Sequence, residues 1–290
     1  MHKPTLIYIM GAGRSGTTAL ATFLGNSREI QNIGEMHQFF DYLNKNKECS
    51  CGTLFAECKF WNEKLSPELL NSSFKNRVLS EKMESHSSII KHLFNLFTKQ
   101  ELEQYSSIHF KILEQISINN DKKIILDSSK YIGRVLSLKN LKDFDLKVIY
   151  VVRDVRGVIN SFLKKVQTTK HPLNTILYYL IINSAASFIA TFILKRKVIK
   201  IKYEDLVDKP IFLFERLEKF LNIDLADIKI KIKNEEAFKI GHIIGGNRLK
   251  NNKEIYFRKD ISWENEFSWL KRVVFYVLAF PIMISNKYKL

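Results

Sequence analysis

One stretch near the start of the sequence decides the fold, and it reads Leu6-Ile-Tyr-Ile-Met10-Gly11-Ala-Gly-Arg14-Ser15-Gly16-Thr17-Thr18-Ala-Leu20-Ala-Thr-Phe23-Leu24. Its apolar start predicts a buried strand, the glycines predict a turn, and the apolar residues that follow have helical spacing. A glycine-rich turn between a strand and a helix presents free backbone N–H groups, and the helix N-terminus adds partial positive charge. The stretch therefore predicts a binding site for a phosphate-like anion.

This glycine loop departs from a Walker A motif at one position. The motif is Gly, four residues, Gly, Lys and then Ser or Thr. Gly11 and Gly16 keep the spacing and Thr18 is the hydroxyl residue, but Thr17 stands at the lysine position. Arg14 lies inside the loop instead. Without the lysine, nothing in the loop reaches forward to a γ-phosphate, so the loop suits a single 5′-phosphate-like group better than a nucleoside triphosphate with magnesium.

The composition is that of a globular chain with a strong positive charge. The sequence has 290 residues, of which 46% are hydrophobic and 26% charged, and its formal net charge is +16. These fractions are typical of folded domains. The charge is compatible with nucleic acid, an anionic membrane surface or a polyanionic small ligand. Because no basic tract stands alone, we expect no nucleic-acid partner, and biased use of Lys, Asn and Ile explains the charge equally well.

The N-terminus and the cysteines bear on the cellular compartment. The sequence enters its first predicted strand after four residues, without the apolar segment of a signal peptide. Three cysteines, an odd number, argue against a disulfide framework, so we expect a cytoplasmic protein. Cys49, Cys51 and Cys58 could ligate zinc, but a structural site normally has four ligands. Because no further Cys or His lies close in sequence, the spacing favours a small packed insertion over a metal site.

Three further predicted strands end in polar or charged residues. These strands lie at 30–33, 123–130 and 146–152, and their ends carry Glu35, Lys130 and Arg153. In open α/β sheets, ligands bind at the carboxyl ends of the strands. Glu35 is therefore a candidate general base, with His37 as the alternative, and Lys130 could reach a transferring anionic group. Arg153 and Ser161, two turns into the next helix, can both face a second phosphate.

Several segments are predicted as helices or covering loops. Residues 66–118 have apolar residues at helical spacing over two or three helices. Residues 173–194 carry no charge and are long enough to span a bilayer, but polar residues interrupt them, so we expect a buried helix. Residues 269–284 could lie on a membrane surface, but a helix packed back on the sheet is the expectation. Residues 241–261 suit either a lid over an anionic nucleotide or an ordinary surface loop.

Several separated motifs occur in one order along the chain. They are Gly13-Arg14-Ser15-Gly16-Thr17-Thr18, Gly34-Glu35, Cys49-x-Cys51-Gly with Cys58-x-Phe60-Trp61, Asp127-Ser-Ser-Lys130, Val152-Arg153-Asp154 with Ser161, Tyr203-Glu204-Asp205-Leu206 and Gly246-Asn247-Arg248. In this order and spacing the sequence resembles the sulfotransferases that use 3′-phosphoadenosine 5′-phosphosulfate (PAPS). It looks most like their bacterial branch, which is similar to tyrosylprotein sulfotransferases. One departure is that Arg248 follows Asn247 directly, where that branch usually has Pro-x-Arg, so either Arg248 or Lys250 could face the cofactor.

The resemblance implies a fold, a cosubstrate and a set of site residues. The fold is α/β, with a P-loop-type central parallel sheet flanked by helices, in a single domain over residues 1–290 with a helical substrate-side insertion at about 62–120. The cosubstrate is PAPS, with no metal. Glu35 is implied as the base and Lys130 as the residue that stabilises the transferring sulfuryl group. The implied donor-binding residues are Arg14, Ser15, Gly16, Thr17, Thr18, Arg153, Ser161, Lys165, Tyr203, Asn247 and Arg248.

These observations converge on sulfuryl transfer. PAPS carries a 5′-phosphosulfate and a 3′-phosphate, and the glycine loop together with Arg153 and Ser161 would supply two anion sites. The acceptor would be a hydroxyl or amine of a carbohydrate, lipid or peptide, and the sequence does not choose among them. A P-loop kinase and a non-catalytic anion-binding protein stay open as alternatives, although Thr17 argues against the first, and Glu35 with Lys130 against the second. Peripheral membrane contact is not favoured, and no oligomeric state is indicated.

Overall fold

The computed structural model describes residues 3–70, 74–118, 122–164, 171–246, 248–257 and 262–290. Within these ranges the side chains of residues 74, 248 and 249 are not described. Two predicted donor-binding residues, Lys165 and Asn247, lie outside the described residues, and for Arg248 only the backbone is described.

A five-stranded parallel sheet is the centre of the fold. Its strands are β1 (Thr5–Gly11), β2 (Ile30–Gly34), β3 (Ile124–Lys130), β4 (Asp145–Val152) and β5 (Val198–Lys202), in the order β2-β3-β1-β4-β5. A separate antiparallel pair consists of β6 (Phe238–Lys239) and β7 (Glu254–Ile255). The predicted α/β fold with a central parallel sheet is confirmed, although β7 lies within a segment predicted as a loop.

Strand β1 occupies the middle of the sheet because both of its faces are apolar. Side chains alternate between the faces of a strand, and Leu6, Tyr8 and Met10 enter one hydrophobic core while Ile7 and Ile9 enter the other. β1 pairs in parallel with β3 on one side and β4 on the other. The carboxyl ends of these three strands therefore lie at one edge of the sheet. There β1 leads into the glycine loop, β3 ends at Lys130, and β4 ends directly before Arg153.

Helices cover both faces of the sheet. In chain order they are α1 (Thr17–Gly25), α2 (Phe39–Lys45), α3 (Lys59–Lys64), α4 (Pro67–Leu70), α5 (Phe74–Glu84), α6 (Ile89–Leu93), α7 (Lys99–Ile118), α8 (Ile132–Leu138), α9 (Val155–Leu163), α10 (Pro172–Phe188), α11 (Tyr203–Asp208), α12 (Pro210–Leu221), α13 (Ala226–Lys233), α14 (Trp263–Glu266), α15 (Trp269–Leu278) and α16 (Phe280–Ser285). A π-helical turn, Ile189–Leu194, continues α10.

The helical insertion contains more helices than expected. Four helices, α4 to α7, lie between residues 67 and 118, where two or three were predicted. The apolar spacing did not reveal the breaks between them, because α4 and α6 are only four and five residues long. Helix α5 packs against α8 and α7, and α7 packs on β3. The insertion is thereby joined to the strand that carries Lys130.

A buried ion network holds this insertion to the sheet. The Arg134 side chain of α8 is fully buried, and it donates to Asp127 Oδ2 of β3 at 2.7 Å and to Glu84 Oε1 of α5. Tyr105 of α7 also donates to Glu84 Oε1, at 2.8 Å. Burial raises the pKa of the Glu84 carboxyl to about 7, because two carboxylates share one guanidinium in a dry site.

Helix α10 is buried on one face only, which corrects the expectation of a buried helix. Ile176, Tyr179 and Ile182 pack into the core, whereas the opposite face is exposed, at positions Leu173, Leu177, Ile181, Phe188 and Phe192. Among the described residues, the helical segment Pro172–Lys197 is long and apolar enough to cross a membrane, with a mean hydropathy of 1.8 over an 18-residue window. The sequence of residues 173–194 could not predict which face is exposed, because the exposed and the buried positions are both apolar.

The C-terminal segment forms two helices where one was expected. Helix α15 ends at Leu278 and α16 begins at Phe280, with Pro281 in its first turn. Proline is compatible with a first turn but not with a continuous helix, which explains the break. α15 packs on α9 and α16 on α10. The segment therefore packs back on helices that flank the sheet, and its Phe275 and Met283 belong to the same hydrophobic core as Tyr8 and Tyr150 of the strands.

Candidate active site

The glycine loop joins β1 to α1 in a conformation that needs its glycines. Gly16, the residue before α1, has φ +85°, and a Cβ there would lie 2.3 Å from the ring of Tyr203. Only glycine meets both conditions without strain. Within the described part of the chain, no side chain caps α1. The first N–H groups of α1 are therefore available to an anion, as the sequence predicted.

Glu35 and Lys130 come together across the sheet edge. Lys130 is the last residue of β3 and has φ +71°, and its ammonium donates to Glu35 Oε1. Gln38 Nε2 donates to the other carboxylate oxygen of Glu35 at 3.0 Å. Glu35 is 6% exposed. The predicted base and the predicted sulfuryl-stabilising lysine thus form one ion pair, although 95 residues separate them in sequence.

The ion pair and the glycine loop line the same cavity of about 470 Å³. From the loop side the cavity is lined by Gly13, Arg14, Gly16, Thr17 and Thr18, and from the β2 and β3 side by Glu35, His37, Gln38, Ser129, Lys130 and Tyr131. Four further lining residues come from elsewhere in the chain, namely His86, Phe162, Tyr178 and Gly246. The cavity thus combines anion-binding groups with a carboxylate, which are the components of a group-transfer site.

His37 is held beside the ion pair in its neutral form. Burial, assisted by the positive charge of Lys130, lowers the pKa of the His37 imidazole to about 3. The centre of its ring lies 4.3 Å from the centre of the Tyr131 ring, and its backbone N–H donates to Ser129 Oγ at 3.0 Å. Ser129 donates in turn to Asp127. The Asp127 carboxylate therefore holds Arg134 directly and, through Ser129, orients the segment that carries His37.

A second group of residues connects the loop to α9 and β5. Arg14 Nε donates to Ser161 Oγ at 3.0 Å, and Arg153 donates to the Arg14 carbonyl oxygen at 3.2 Å. The Arg153 guanidinium lies over the Tyr203 ring, 4.1 Å from its centre. Arg153 and Tyr203 are both buried, at 5% and 8% exposure. These four residues, predicted for the donor site from three separate motifs, are thus neighbours, and Arg14 among them lines the cavity.

The loop of residues 241–246, which we call the His242 loop, packs against the end of β2 and Glu35. Glu35 donates its backbone N–H to the Ile244 carbonyl oxygen at 2.7 Å, and Ile244 donates to Ile33 at 3.2 Å. A Cβ at Gly34 would lie 2.2 Å from the Ile244 carbonyl oxygen.

Lys250, one of two candidates for a cofactor contact, donates to the Tyr42 hydroxyl at 2.9 Å.

The structure brings most of the predicted site residues together. Arg14, Gly16, Thr17, Thr18, Glu35 and Lys130 line the cavity, and Ser15 is buried in the same loop. Sequence reasoning missed Gln38, Tyr131 and Tyr178. Tyr178 accepts a hydrogen bond from the Gly13 N–H at 2.9 Å, but it lies in the charge-free segment, whose composition carried no sign of a site. Gln38 lies one turn after Glu35, and this proximity was the available signal.

Comparison with protein families gives one match. The profile of a family described as "Sulfotransferase family" matches residues 4–227. No curated protein sequence matches the chain.

Comparison with solved structures gives similar folds at low identity. The chain is similar to the sulfotransferase domain from the curacin biosynthetic pathway, with a TM-score of 0.53, 18% identity and 100% coverage of both chains. It is also similar to sulfotransferase STF9 from Mycobacterium avium, with a TM-score of 0.51, 10% identity and coverage of 100% of this chain and 79% of the other. At these identities the likeness shows a common fold.

Proposed function

The chain belongs to the sulfotransferase family, and from this premise we propose that it transfers the sulfuryl group of PAPS to a hydroxyl or amine of a carbohydrate, lipid or peptide acceptor, with Glu35 as general base. The observation that carries this proposal is the single cavity in which the Glu35–Lys130 pair faces a glycine loop without a Walker lysine.

The 5′-phosphosulfate of PAPS is assigned to the glycine loop. The N–H groups at the start of α1 and the hydroxyls of Thr17 and Thr18 can donate to its phosphate oxygens. The 3′-phosphate is assigned to Arg153 and Ser161, and the sequence motif adds Lys165, which lies outside the described residues. Support for this second assignment comes from the contact between Arg14 of the loop and Ser161, since it puts the two anion sites side by side.

In the proposed reaction, an acceptor oxygen or nitrogen attacks the sulfur of PAPS. A new bond to sulfur forms, the bond from sulfur to the bridging phosphate oxygen breaks, and the bisphosphate PAP leaves. Glu35 takes the proton of the attacking group. Lys130, which pairs with Glu35 before donor binds, gains a second anionic partner in the bridging oxygen. Moving toward this oxygen, the ammonium would stabilise the leaving group and free the Glu35 carboxylate to act as the base.

The acceptor is proposed to enter from the side of the helical insertion. A second cavity of about 410 Å³ adjoins the first and shares His37, Gln38 and Tyr131 with it. Its remaining lining residues, of which all but Phe40 have polar side chains, are Phe40, Asp41, Arg77, Ser80, Glu81, Glu84 and Ser85. Such a lining offers hydrogen bonds to a polyhydroxylated molecule. We therefore rank a carbohydrate acceptor before a lipid or peptide one.

A thermal-stability comparison tests the donor assignment. PAP is expected to raise the melting temperature of the protein, because a ligand that binds only the folded state stabilises it. ATP with magnesium and duplex DNA are expected to give smaller shifts at equal concentration. A larger shift with ATP and magnesium would favour a kinase, and a larger shift with DNA would favour a nucleic-acid-binding function.

A further inference from the structure

All three cysteines of the chain lie in one cluster with a histidine, outside the cavity. Cys49, Cys51, Cys58 and His242 offer ligand atoms that all lie within 4.8 Å of one another. Cys51 Sγ is 3.7 Å from Cys58 Sγ, and Cys58 Sγ is 3.3 Å from His242 Nδ1. None of the three thiols forms a disulfide. We propose that these four side chains form a structural zinc site of the Cys3His type.

The dimensions of the cluster fit a tetrahedral zinc ion. Zn–S bonds of about 2.3 Å and Zn–N bonds of about 2.0–2.1 Å give ligand atoms roughly 3.5–3.8 Å apart at the corners of a tetrahedron. The two distances above, 3.7 Å and 3.3 Å, are close to these values. Four protein ligands leave no open position for water or substrate, so the ion would be structural and would take no part in the sulfuryl transfer.

The surroundings of the cluster hold its ligands in place. The Phe60 ring stacks on the His242 imidazole, with centres 5.5 Å apart and planes at 9°. Thr53 Oγ1 lies 3.0 Å from Cys51 Sγ. Cys49 and Cys58 are buried. Contacts of this kind around a metal site fix the orientation of the ligands and increase the affinity of the site for the metal.

The ion would join two loops that are distant in sequence. Residues 49–58 supply three ligands, and His242, 184 residues after Cys58, supplies the fourth. The sequence favoured a packed insertion because no fourth ligand was close, and the fold supplies that ligand from the His242 loop. Ile244 of this loop accepts the backbone N–H of Glu35. The zinc ion would therefore anchor the loop that packs against the catalytic carboxylate.

Metal content and thiol chemistry test the proposal directly. The purified full-length chain is expected to contain about one zinc per molecule by elemental analysis. Titration with an organomercurial, which displaces zinc from thiolates, should release that zinc fully by the third equivalent, since the chain has only three cysteines. Cobalt reconstitution should give the strong visible absorption of tetrahedral cobalt with thiolate charge-transfer bands. Wild-type protein that carries no zinc and takes up no cobalt, or that contains a disulfide by mass, would overturn the proposal.

Two variants and a matched control identify the ligands. Cys58→Ser and His242→Ala are expected to lose most of the bound zinc. Ser50→Ala is the control, because Ser50 Oγ contacts the same loop, donating to the Gly241 carbonyl oxygen and accepting from the Ile243 N–H, both at 2.7 Å. It should keep the zinc of the wild type. Loss of zinc from Ser50→Ala as complete as from His242→Ala, or full retention by His242→Ala, would remove His242 from the ligand set.

Discussion

The Glu35 carboxylate has a defined partner on each oxygen, Lys130 on one and Gln38 on the other. If this carboxylate is the general base, Glu35→Ala should lower turnover by roughly 10²-fold or more, because general-base catalysis contributes about that much. Binding of PAP should be retained. Steady-state kinetics and calorimetric titration with PAP measure the two quantities.

His37→Ala is the matched control for this prediction. The imidazole of His37 is neutral and could also accept a proton, but a pKa lowered to about 3 by burial makes it a weak base. The His37→Ala variant should therefore lose roughly tenfold or less in turnover. Near-normal turnover of Glu35→Ala together with a large loss in His37→Ala would assign the base to His37.

Arg153 offers a test of the second anion site. Replacing Arg153 by Ala should weaken binding of PAP far more than binding of adenosine 5′-phosphate, because only PAP carries the 3′-phosphate. The loss for PAP is expected to be at least about 2 kcal/mol, which is typical of a charged hydrogen-bond partner. Calorimetry with the two nucleotides measures the difference. Equal losses would mean that Arg153 acts through its contacts with Arg14 and Tyr203 and does not bind the 3′-phosphate.

Among the structural elements, the turn at the end of β2 is tightly constrained by packing. Gly34 has φ +79° and Gly52 has φ +88°, but only at Gly34 would a Cβ meet other atoms. Gly52→Ala should therefore cost only the left-handed backbone strain, about 1–2 kcal/mol. Gly34→Ala should cost about 1–3 kcal/mol more from overpacking against Ile244, and it should lower turnover by displacing Glu35. Denaturant unfolding and kinetics of the two variants provide the comparison, and equal effects would argue against a role for the Gly34–Ile244 contact.

The ion network between β3, α5 and α8 should govern the stability of the insertion. Arg134→Met leaves Asp127 and Glu84 buried without their cation and should destabilise the protein by about 3–5 kcal/mol. Glu84→Gln should cost much less, since the remaining Arg134–Asp127 pair stays intact. Denaturant unfolding of both variants is the measurement. Equal losses would mean that the network matters through packing more than through charge.

Glu84 should also make the free energy of unfolding depend on pH. Its carboxyl has a folded-state pKa of about 7, above the ordinary value of 4.5. The folded state thus binds the proton more tightly, so this group's contribution to stability is complete below about pH 4.5 and is lost as the pH rises toward 7. Glu84→Gln should show a smaller decline in unfolding free energy over this range than the wild type. Parallel pH profiles of the two proteins would contradict the assignment.

At the level of the whole molecule, local patterns predicted the sheet and most of its site. Apolar runs followed by polar residues such as Glu35, Lys130 and Arg153 are local signals, and parallel pairing then brings the strand ends together. The resemblance to sulfotransferases added the roles of these residues. What the sequence could not supply were contacts between distant segments, such as Tyr178 with Gly13 and His242 with Cys58. The half-exposed face of α10 was hidden for another reason, because its exposed and buried positions are equally apolar.

Transfer of ³⁵S from PAPS into acceptor fractions is the most direct test of the central claim that Glu35 and Lys130 act on a PAPS sulfuryl group. Wild-type enzyme with labelled PAPS and fractionated lysate should yield a labelled product without added magnesium. Glu35→Ala and Lys130→Ala should yield roughly 10²-fold less while still binding PAP. Labelled product from both variants at the wild-type rate, or transfer of phosphate from ATP and magnesium in place of sulfate, would contradict the account.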